Sequence, residues 1–379
     1  MTSTSCDGLA REVLAACIAG RPPEKLPPAL TGSDGAHALF GILAEGLGDR
    51  FEPALCDVYA RLFAQAIPGA DAERYFRVRR PRPVAGEPRR VYVLSRITLG
   101  ADIAVTSVLM DAAKRRFPGA RIVFVGPHKN FELFAFDGPL EHAPLEYRRG
   151  AAEQVWRQLQ SIAADGLVID PDSRLTQLGL LPVGDEDRYH LFESRGYGGT
   201  GTQALSELAA QWARETFGIE DAKPYLACGT DSSGHPPRMA VSLGVGENPA
   251  KRIADPFEPE LLKLLAARAP LVVDRGAGGE EATRVARAVE RAGIDVSYWD
   301  GSFAGFVKMI ATASLYVGYD SAGQHAAAAA GVPLICVFAG FPVPRMFERW
   351  RPVAPNAQVI RVDDPDPAGV LEQVRRILG

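Results

Sequence analysis

The chain has 379 residues, of which 47% are hydrophobic and 23% are charged, values typical of a globular protein with more than one domain. The net charge of −4, from 42 Lys and Arg against 46 Asp and Glu, argues against a protein whose main function is to bind nucleic acid. The sequence has no apolar run of the ~18 residues that a membrane span needs, and it begins without the basic head of a signal peptide. We therefore expect a cytoplasmic protein with no transmembrane segment.

Helix-like patterns fill residues 8 to 68 and are separated by proline-rich breaks. We predict a small all-helical N-terminal module over residues 1–80. Arginine and proline then alternate around residues 81–89, which forbids a regular helix and predicts a linker between this module and the rest of the chain.

From Arg90 onward, short β-branched runs alternate with helical stretches. This order is typical of βαβ units and predicts parallel sheets. A first series ends in a turn-rich stretch over residues 218–239, and a second series continues to the C-terminus. We therefore predict two Rossmann-like domains, over residues 90–225 and 226–379, and we expect ligands at the loops that follow strands.

One such loop in the second series follows the strand pattern SLYVGY and opens an alanine-rich helix. It contains Asp320, Ser321, Gly323 and His325. Small residues here would let main-chain N–H groups and the positive end of the helix dipole approach a diphosphate, and the histidine ring could donate to it. Ordinary helix capping by Asp320 or Ser321 would use the same residue types, so the pattern alone leaves both interpretations open.

A second loop follows the strand pattern VSLGV and contains Gly246 and Lys251. Lysine is rare in this chain, and one placed near glycines after a strand suits the neutralisation of a leaving diphosphate. A solvated surface lysine would give the same pattern. Near the start of the helix after the next strand, Glu280 or Glu281 could hold a ribose hydroxyl, and a flexible turn is the alternative.

In the first series, Asp102 follows the strand pattern VYVLSRI and is expected to face the cleft between the two domains. It could act as a general base or simply cap a helix. Asp172 and Arg174 follow the pattern GLVID and could line the acceptor side of that cleft. Asp170 and Asp172 look like a metal-binding DxD pair, but the proline between them and the lack of a neighbouring His or Glu predict no metal. The sequence contains no Walker, GxSxG or HExxH motif, which disfavours ATPases and serine or zinc hydrolases.

These loops together resemble glycosyltransferase family 9, the bacterial ADP-heptose heptosyltransferases. The strongest match is residues 313–340, where a strand, the family's D-[ST]-G-x-x-H motif, an alanine-rich helix, Gly-x-Pro and a second strand follow one another. Residues 95–125 and 166–179 are similar to the family's opening strand with its L-G-D loop and to its third strand. The resemblance runs from about residue 90 to the C-terminus. Residues 1–80 lie outside it.

The resemblance implies an α/β protein of the GT-B fold, with two Rossmann-like domains facing a cleft and the helical module in front of them. It implies an inverting, metal-independent transferase that needs no cofactor and moves a heptose-like sugar from a nucleotide sugar, with ADP favoured, to an acceptor hydroxyl. Asp102 would be the catalytic base and Lys251 the phosphate-binding lysine. The donor-binding residues would be Gly246, Lys251, Glu281 or its neighbour Glu280, Asp320, Ser321, Gly323 and His325.

The chain departs from the family pattern at two alanines and at Ile253, which stands where the family's K-x-W pattern, beginning here at Lys251, has tryptophan. Ala101 stands between Gly100 and Asp102, and Ala322 stands between Ser321 and Gly323, where the family commonly has glycine directly after Ser or Thr. Two other functions therefore stay open at this point. One is a GT-B nucleotide-sugar epimerase or hydrolase, because a fold does not decide its chemistry. The other is a non-catalytic binding or scaffold protein.

The partners follow from the same resemblance. We expect a nucleotide sugar, no nucleic acid, and an acceptor that could be a glycan, a lipid, a protein or a small molecule. The N-terminal helices could dock the acceptor, mediate homo-oligomerisation or brace the first Rossmann-like domain. A cytoplasmic enzyme that acts on a membrane glycolipid could also lie at the periphery of the inner membrane.

Overall fold

The computed structural model describes residues 5–147, 151–229, 238–246, 248–276 and 278–379. Residues 230–237 of the predicted turn-rich stretch lie outside the described residues. The chain forms two compact units. The first unit comprises the chain up to Thr98, Val105–Phe131 and Pro139–Lys223, and the second comprises Leu99–Ala104, Glu132–Gly138 and the chain from Pro224 onward.

The first unit is built on a five-stranded parallel sheet. Its strands are β1 (Arg90–Leu94), β2 (Arg121–Gly126), β3 (Glu141–Pro144), β4 (Leu167–Asp170) and β5 (Tyr189–Leu191). They lie in the order β3-β2-β1-β4-β5, so the direction of winding reverses between β1 and β4. The β-branched runs of β1 and β4 are buried, as expected for parallel strands covered on both faces.

The N-terminal helices share a hydrophobic core with this sheet. Ala10, Leu43 and Phe63 are fully buried in one cluster with Tyr92 and Leu94, which alternate along β1 and therefore point to one face of the sheet. The helices are α1 (Cys6–Ile18), α2 (Pro28–Thr31), α3 (Glu45–Gly48), α4 (Pro53–Phe63) and α5 (Ala72–Val78), with a π-helical stretch at Ala38–Ala44. The predicted helical N-terminal region is confirmed, and it forms a layer over the first sheet.

Further helices flank the first sheet between its strands. The structure gives α7 (Ser107–Arg116), α8 (His128–Phe131), α9 (Ala152–Ile162) and α10 (Leu205–Phe217). Helices α7 and α10 pack on each other, whereas Val155 and Leu159 of α9 join the core that the N-terminal helices form. The short turn α6 (Leu99–Ala101) belongs to the second unit.

The second unit is built on a six-stranded parallel sheet with the order β11-β10-β9-β6-β7-β8. Its strands are β6 (Met239–Ser242), β7 (Leu271–Asp274), β8 (Ser297–Trp299), β9 (Leu315–Tyr319), β10 (Leu334–Phe338) and β11 (Ala357–Arg361). The chain crosses the sheet through α11 (Phe257–Ala266), α12 (Gly279–Ala292), α13 (Phe303–Ala311), α14 (Ala322–Ala329), α15 (Pro344–Trp350) and α16 (Pro367–Leu378). Val241, Val317 and Val337 lie in its core.

Two parallel sheets with flanking helices therefore agree with the predicted fold class. Among the described helices, none has the length and apolar character that crossing a bilayer requires. All five cysteines are free thiols. Within the described part of the chain, no group of His, Cys, Asp or Glu side chains is arranged to hold a metal ion.

Candidate functional site

The crevice of the second sheet lies where its winding reverses. Strands β6 and β9 are parallel neighbours, with Ser242 opposite Gly318, and the chain continues from them to opposite edges of the sheet. Such a reversal separates the loops that follow the two strands and leaves a crevice at their carboxyl ends, which is where open α/β sheets bind ligands. Lys251 lies on the loop after β6 and Asp320 on the loop after β9. Two residues predicted from separate loops thus meet at the same place.

Lys251 and Asp320 form an ion pair across this crevice. The Lys251 ammonium lies 2.7 Å from Oδ2 of Asp320 and also donates to its main-chain carbonyl at 3.2 Å. The two side chains are 18% and 7% exposed, so the pair is mostly shielded from water. An ammonium has three N–H donors, and Asp320 occupies two of them, which leaves one for an incoming anion as far as the described residues show.

Local backbone geometry places Lys251 there. It ends a short 3-10 turn, Pro249–Lys251, which Asn248 caps by accepting the Ala250 N–H. Gly340, at φ +69°, lies so close behind this turn that an added Cβ would be 2.3 Å from the Ala250 carbonyl oxygen. Only glycine allows that approach, so the loop after β10 holds the lysine turn in place.

The first turn of α14 faces the same crevice edge. Ser321 occupies the N-cap position, yet within the described structure its side chain makes no capping hydrogen bond. Of the two interpretations left open by the sequence, ordinary capping by the Ser321 side chain is not observed. A helix of eight residues that starts without a side-chain cap presents main-chain N–H groups and the positive end of its dipole, an arrangement that favours anions.

Gly323 is required for a different reason from the one expected. An added Cβ would lie 2.1 Å from the hydroxyl oxygen of Tyr316, a fully buried residue of β9. The glycine therefore lets α14 pack closely on its own sheet. The need for glycine at this position comes from that packing and not from space for a phosphate.

His325 is buried in the first turn of α14 and packs edge-on against Trp350, with ring centroids 5.9 Å apart. Burial lowers the pKa of His325 to about 4; the Asp320 charge opposes this and the Lys251 charge adds a smaller lowering. The ring is therefore neutral at pH 7. It could offer a phosphate one N–H donor but no positive charge.

The segment that carries Asp102 packs on α14. Turn α6 contacts this helix, and an added Cβ at Gly100 would lie 3.2 Å from the Cα of Ala322 and 3.1 Å from Cδ2 of His325. The two alanines that depart from the family pattern thus lie in neighbouring segments. Asp102 itself is fully buried, in the π-helical turn Asp102–Thr106.

Glu281 connects two loops of the second unit, on the side of β6 that is away from Asp320. Its Oε2 accepts the Val245 N–H at 3.2 Å, and its carboxylate is flanked by Gly244 and Gly276. An added Cβ at Gly276 would lie 1.8 Å from Oε1. Glu281 therefore fixes the start of α12 to the loop that leads to Gly246, whereas Glu280 is exposed.

The sequence model of glycosyltransferase family 9 (heptosyltransferase) matches residues 283–373. The resemblance to glycosyltransferase family 9 is confirmed. A comparison with curated protein sequences gave no match.

Solved structures of family 9 members share the fold. The E. coli ADP-heptose LPS heptosyltransferase II has 19% identity and a TM-score of 0.54, covering 76% of this chain and 98% of its own. The family 9 glycosyltransferase of Veillonella parvula DSM 2008 has 14% identity and a TM-score of 0.59, covering 78% and 99%. E. coli heptosyltransferase WaaC with ADP has 17% identity and a TM-score of 0.57, covering 76% and 99%. At these identities the likeness establishes the fold, which is GT-B.

The family 9 match starts within α12 and ends within α16. It includes the loop Asp320–His325 and excludes Lys251, Glu281 and Asp102. The roles predicted for the excluded residues therefore rest on the geometry described above and on the resemblance of their loops.

In the first unit, the predicted acceptor-side residues are already paired. Asp172, at φ +69° and 2% exposed, lies 2.6 Å from Arg195 and accepts a hydrogen bond from Ser194 at 2.7 Å. Arg174 lies 3.0 Å from Glu45, and both side chains are about one-third exposed. Asp172 therefore holds its loop, whereas Arg174 stays accessible.

Sequence reasoning missed the other half of these pairs. Neither Arg195 nor Glu45 is among the predicted site residues. Next to them, Glu193 is buried, and burial followed by the Asp172 charge raises the pKa of Glu193 to about 7. Arg195 and Glu45 are distant in sequence from Asp172 and Arg174, so no local sequence pattern indicates that these residues pair.

Proposed function

We propose that the chain is an inverting glycosyltransferase that moves a sugar from a nucleoside-diphosphate sugar to an acceptor hydroxyl. ADP is the favoured nucleotide and a heptose-like unit the favoured sugar, because the relatives named above include ADP-heptose enzymes. The observation that carries the proposal is the meeting of Lys251 with the uncapped start of α14, where the second sheet reverses its winding.

The donor diphosphate would bind between these two positive groups. The Lys251 ammonium supplies a full charge in a mostly shielded position, and the first N–H groups of α14 supply the helix dipole. Both are in place before the reaction, so they would stabilise the charge that develops on the leaving diphosphate as the glycosidic bond breaks. Glu281 would be near the donor ribose.

Asp102 is the proposed base. The acceptor hydroxyl would give its proton to the Asp102 carboxylate while its oxygen attacks the anomeric carbon. The bond from that carbon to the diphosphate oxygen breaks at the same time, and the nucleoside diphosphate leaves from the opposite face, which inverts the configuration. Support comes from the packing of α6 on α14 in the second unit. Because Asp102 is fully buried, the acceptor would have to open this segment to reach it.

On the acceptor side, Arg174 is the residue proposed to contact substrate. Its guanidinium is one-third exposed and already paired with Glu45. An acceptor with hydroxyl groups could bridge the two side chains, since a carboxylate accepts and a guanidinium donates hydrogen bonds.

A thermal-shift panel with ADP, UDP, GDP, CDP and dTDP tests the donor part of the proposal. A ligand that binds only the folded state stabilises it by about 2.7 kcal/mol at a hundredfold excess over Kd. We expect ADP to give the largest shift. A larger shift with another nucleotide would keep the transferase and replace the donor, and no shift with any nucleotide would contradict the proposal.

A further inference from the structure

Gln324 is a polar side chain buried completely behind the proposed diphosphate site. It lies on α14, one turn after Asp320, and has no exposed surface. Its amide nitrogen donates to Oδ1 of Asp320 at 2.5 Å, and its amide oxygen accepts the thiol proton of Cys336 on β10. The family motif D-[ST]-G-x-x-H leaves this position unspecified. The buried amide is therefore a feature of this chain that the resemblance does not explain.

The chemistry of the three groups fixes which way the amide points. An ionised carboxylate only accepts hydrogen bonds, so the Gln324 nitrogen must face Asp320, and the oxygen must then face the Cys336 thiol. Burial raises the pKa of Cys336 well above its ordinary value, which keeps it a protonated donor. The Cys336 thiol thus donates to the Gln324 amide, which donates to the Asp320 carboxylate, and this carboxylate pairs with the Lys251 ammonium.

This chain of bonds divides the Asp320 carboxylate between two partners. Oδ1 is taken by Gln324, and Oδ2 lies 2.7 Å from the Lys251 ammonium. Because the amide is held at both ends within the core, the plane of the carboxylate is fixed, and with it the place of the ammonium. Without the amide, both oxygens could turn toward Lys251 and hold it more tightly.

We propose that Gln324 is a positioning residue for Lys251, which it holds in place for a diphosphate by orienting the Asp320 carboxylate. This inference rests on the proposed function. It adds that the affinity for the phosphate part of the donor depends on a buried amide that touches neither the donor nor the lysine.

Gln324→Met tests the inference because methionine has nearly the same length and helix preference but no donor. Calorimetry would measure the Kd of ADP and of adenosine for the wild type and the variant. We expect ADP to bind about tenfold more weakly to Q324M, because the interaction energy between polar groups in one hydrogen-bond network commonly corresponds to a factor of about that size in affinity. Adenosine has no phosphate, so its Kd should change less than about twofold by the same reasoning. If Gln324 only stabilised the fold, Q324M would bind ADP and adenosine more weakly by the same factor.

Gln324→Glu and Cys336→Ala serve as companion variants. A glutamic acid at 324 can donate to Asp320 only while it keeps its proton, because two adjoining carboxylates resist double ionisation. The ADP affinity of Q324E, taken relative to the wild type at each pH, should therefore be close to normal at pH 5 and fall toward pH 8. C336A frees one end of the amide but leaves the Gln324 contact with Asp320, so its ADP affinity should fall in the same direction as that of Q324M and by less. Thermal unfolding of each variant checks that it folds.

The results of these experiments distinguish a failure of the Gln324 inference from a failure of the proposed function. Equal weakening of ADP and adenosine in Q324M, or no change in either, would overturn the role of Gln324 while leaving the donor site standing. A pH-independent affinity ratio for Q324E would also count against it. If the wild type binds neither ADP nor any other nucleoside diphosphate, the proposed function fails and the inference fails with it.

Discussion

The buried carboxyl of Glu193 makes the stability of this protein depend on pH in a predictable direction. Glu193 follows β5, is 6% exposed, and accepts the Tyr75 hydroxyl proton at 2.8 Å. Gly196 closes against it, since an added Cβ there would lie 2.6 Å from Oε2. Burial and the Asp172 charge raise the pKa of Glu193 from 4.5 to about 7. The folded state therefore keeps a proton that the unfolded chain loses, and stability falls as the pH rises from about 4.5 to about 7.

The substitution that isolates this effect is Glu193→Gln. The amide has the same shape, can still accept from Tyr75, and cannot ionise. A rise of the Glu193 pKa from 4.5 to about 7 corresponds to about 3 kcal/mol, so above pH 7 the variant should be more stable than the wild type by about that amount. At pH 5 the folded state of both proteins carries a neutral group, and because the unfolded wild type has begun to ionise the difference should be only about 1 kcal/mol. The pKa of Asp170, raised by burial to about 6, contributes equally to both proteins.

Urea unfolding at pH 5, 6, 7 and 8, followed by tryptophan fluorescence, measures the difference. Glu186→Gln is the matched control. The ion pair with Arg77 lowers the pKa of Glu186 below its ordinary value, so this group is ionised throughout the range and its substitution should shift stability by the same amount at each pH. A difference between E193Q and wild type that is equal at pH 5 and pH 8 would refute the reasoning.

Two further predictions concern packing. Gly323→Ala should destabilise the second unit by about 1–3 kcal/mol, because the added Cβ would overlap the Tyr316 hydroxyl. Gly119 has open space around it, so Gly119→Ala is the control and should change the unfolding free energy little. Urea unfolding of both variants measures the two changes. Deletion of residues 1–80 should leave an insoluble chain, because it would bare the face of the first sheet that Tyr92 and Leu94 line; a truncated protein that stays soluble and unfolds cooperatively would contradict it.

The strands and their loops could be predicted because their signals are local. Apolar runs such as those of β6 and β9 stand between turn formers, and loop residues such as Lys251 and Asp320 directly follow them. What the sequence does not contain is the pairing of strands. That β6 and β9 are neighbours, so that Lys251 and Asp320 meet, depends on contacts between residues about 70 positions apart in sequence.

The contacts behind the site escaped prediction for the same reason. Gln324 looks like an ordinary polar residue of an alanine-rich helix until Cys336 is placed behind it. Gly323 was expected to clear space for a ligand, and its buried neighbour Tyr316 shows that it clears space for the sheet. The N-terminal helices were predictable as helices, but the sheet face that they cover was not, since parallel strands are apolar on both sides.

The central claim is that a nucleoside diphosphate binds at Lys251 and the start of α14. Calorimetric titration of ADP into the wild type, Lys251→Met and Lys263→Met tests it most directly, because Lys263 is an exposed lysine paired with Glu260 on α11 and serves as the matched control. We predict that K251M binds ADP about ten- to hundredfold more weakly, as expected for the loss of a charged hydrogen bond, and that K263M binds it like the wild type. Equal ADP affinity in all three folded proteins would contradict the account.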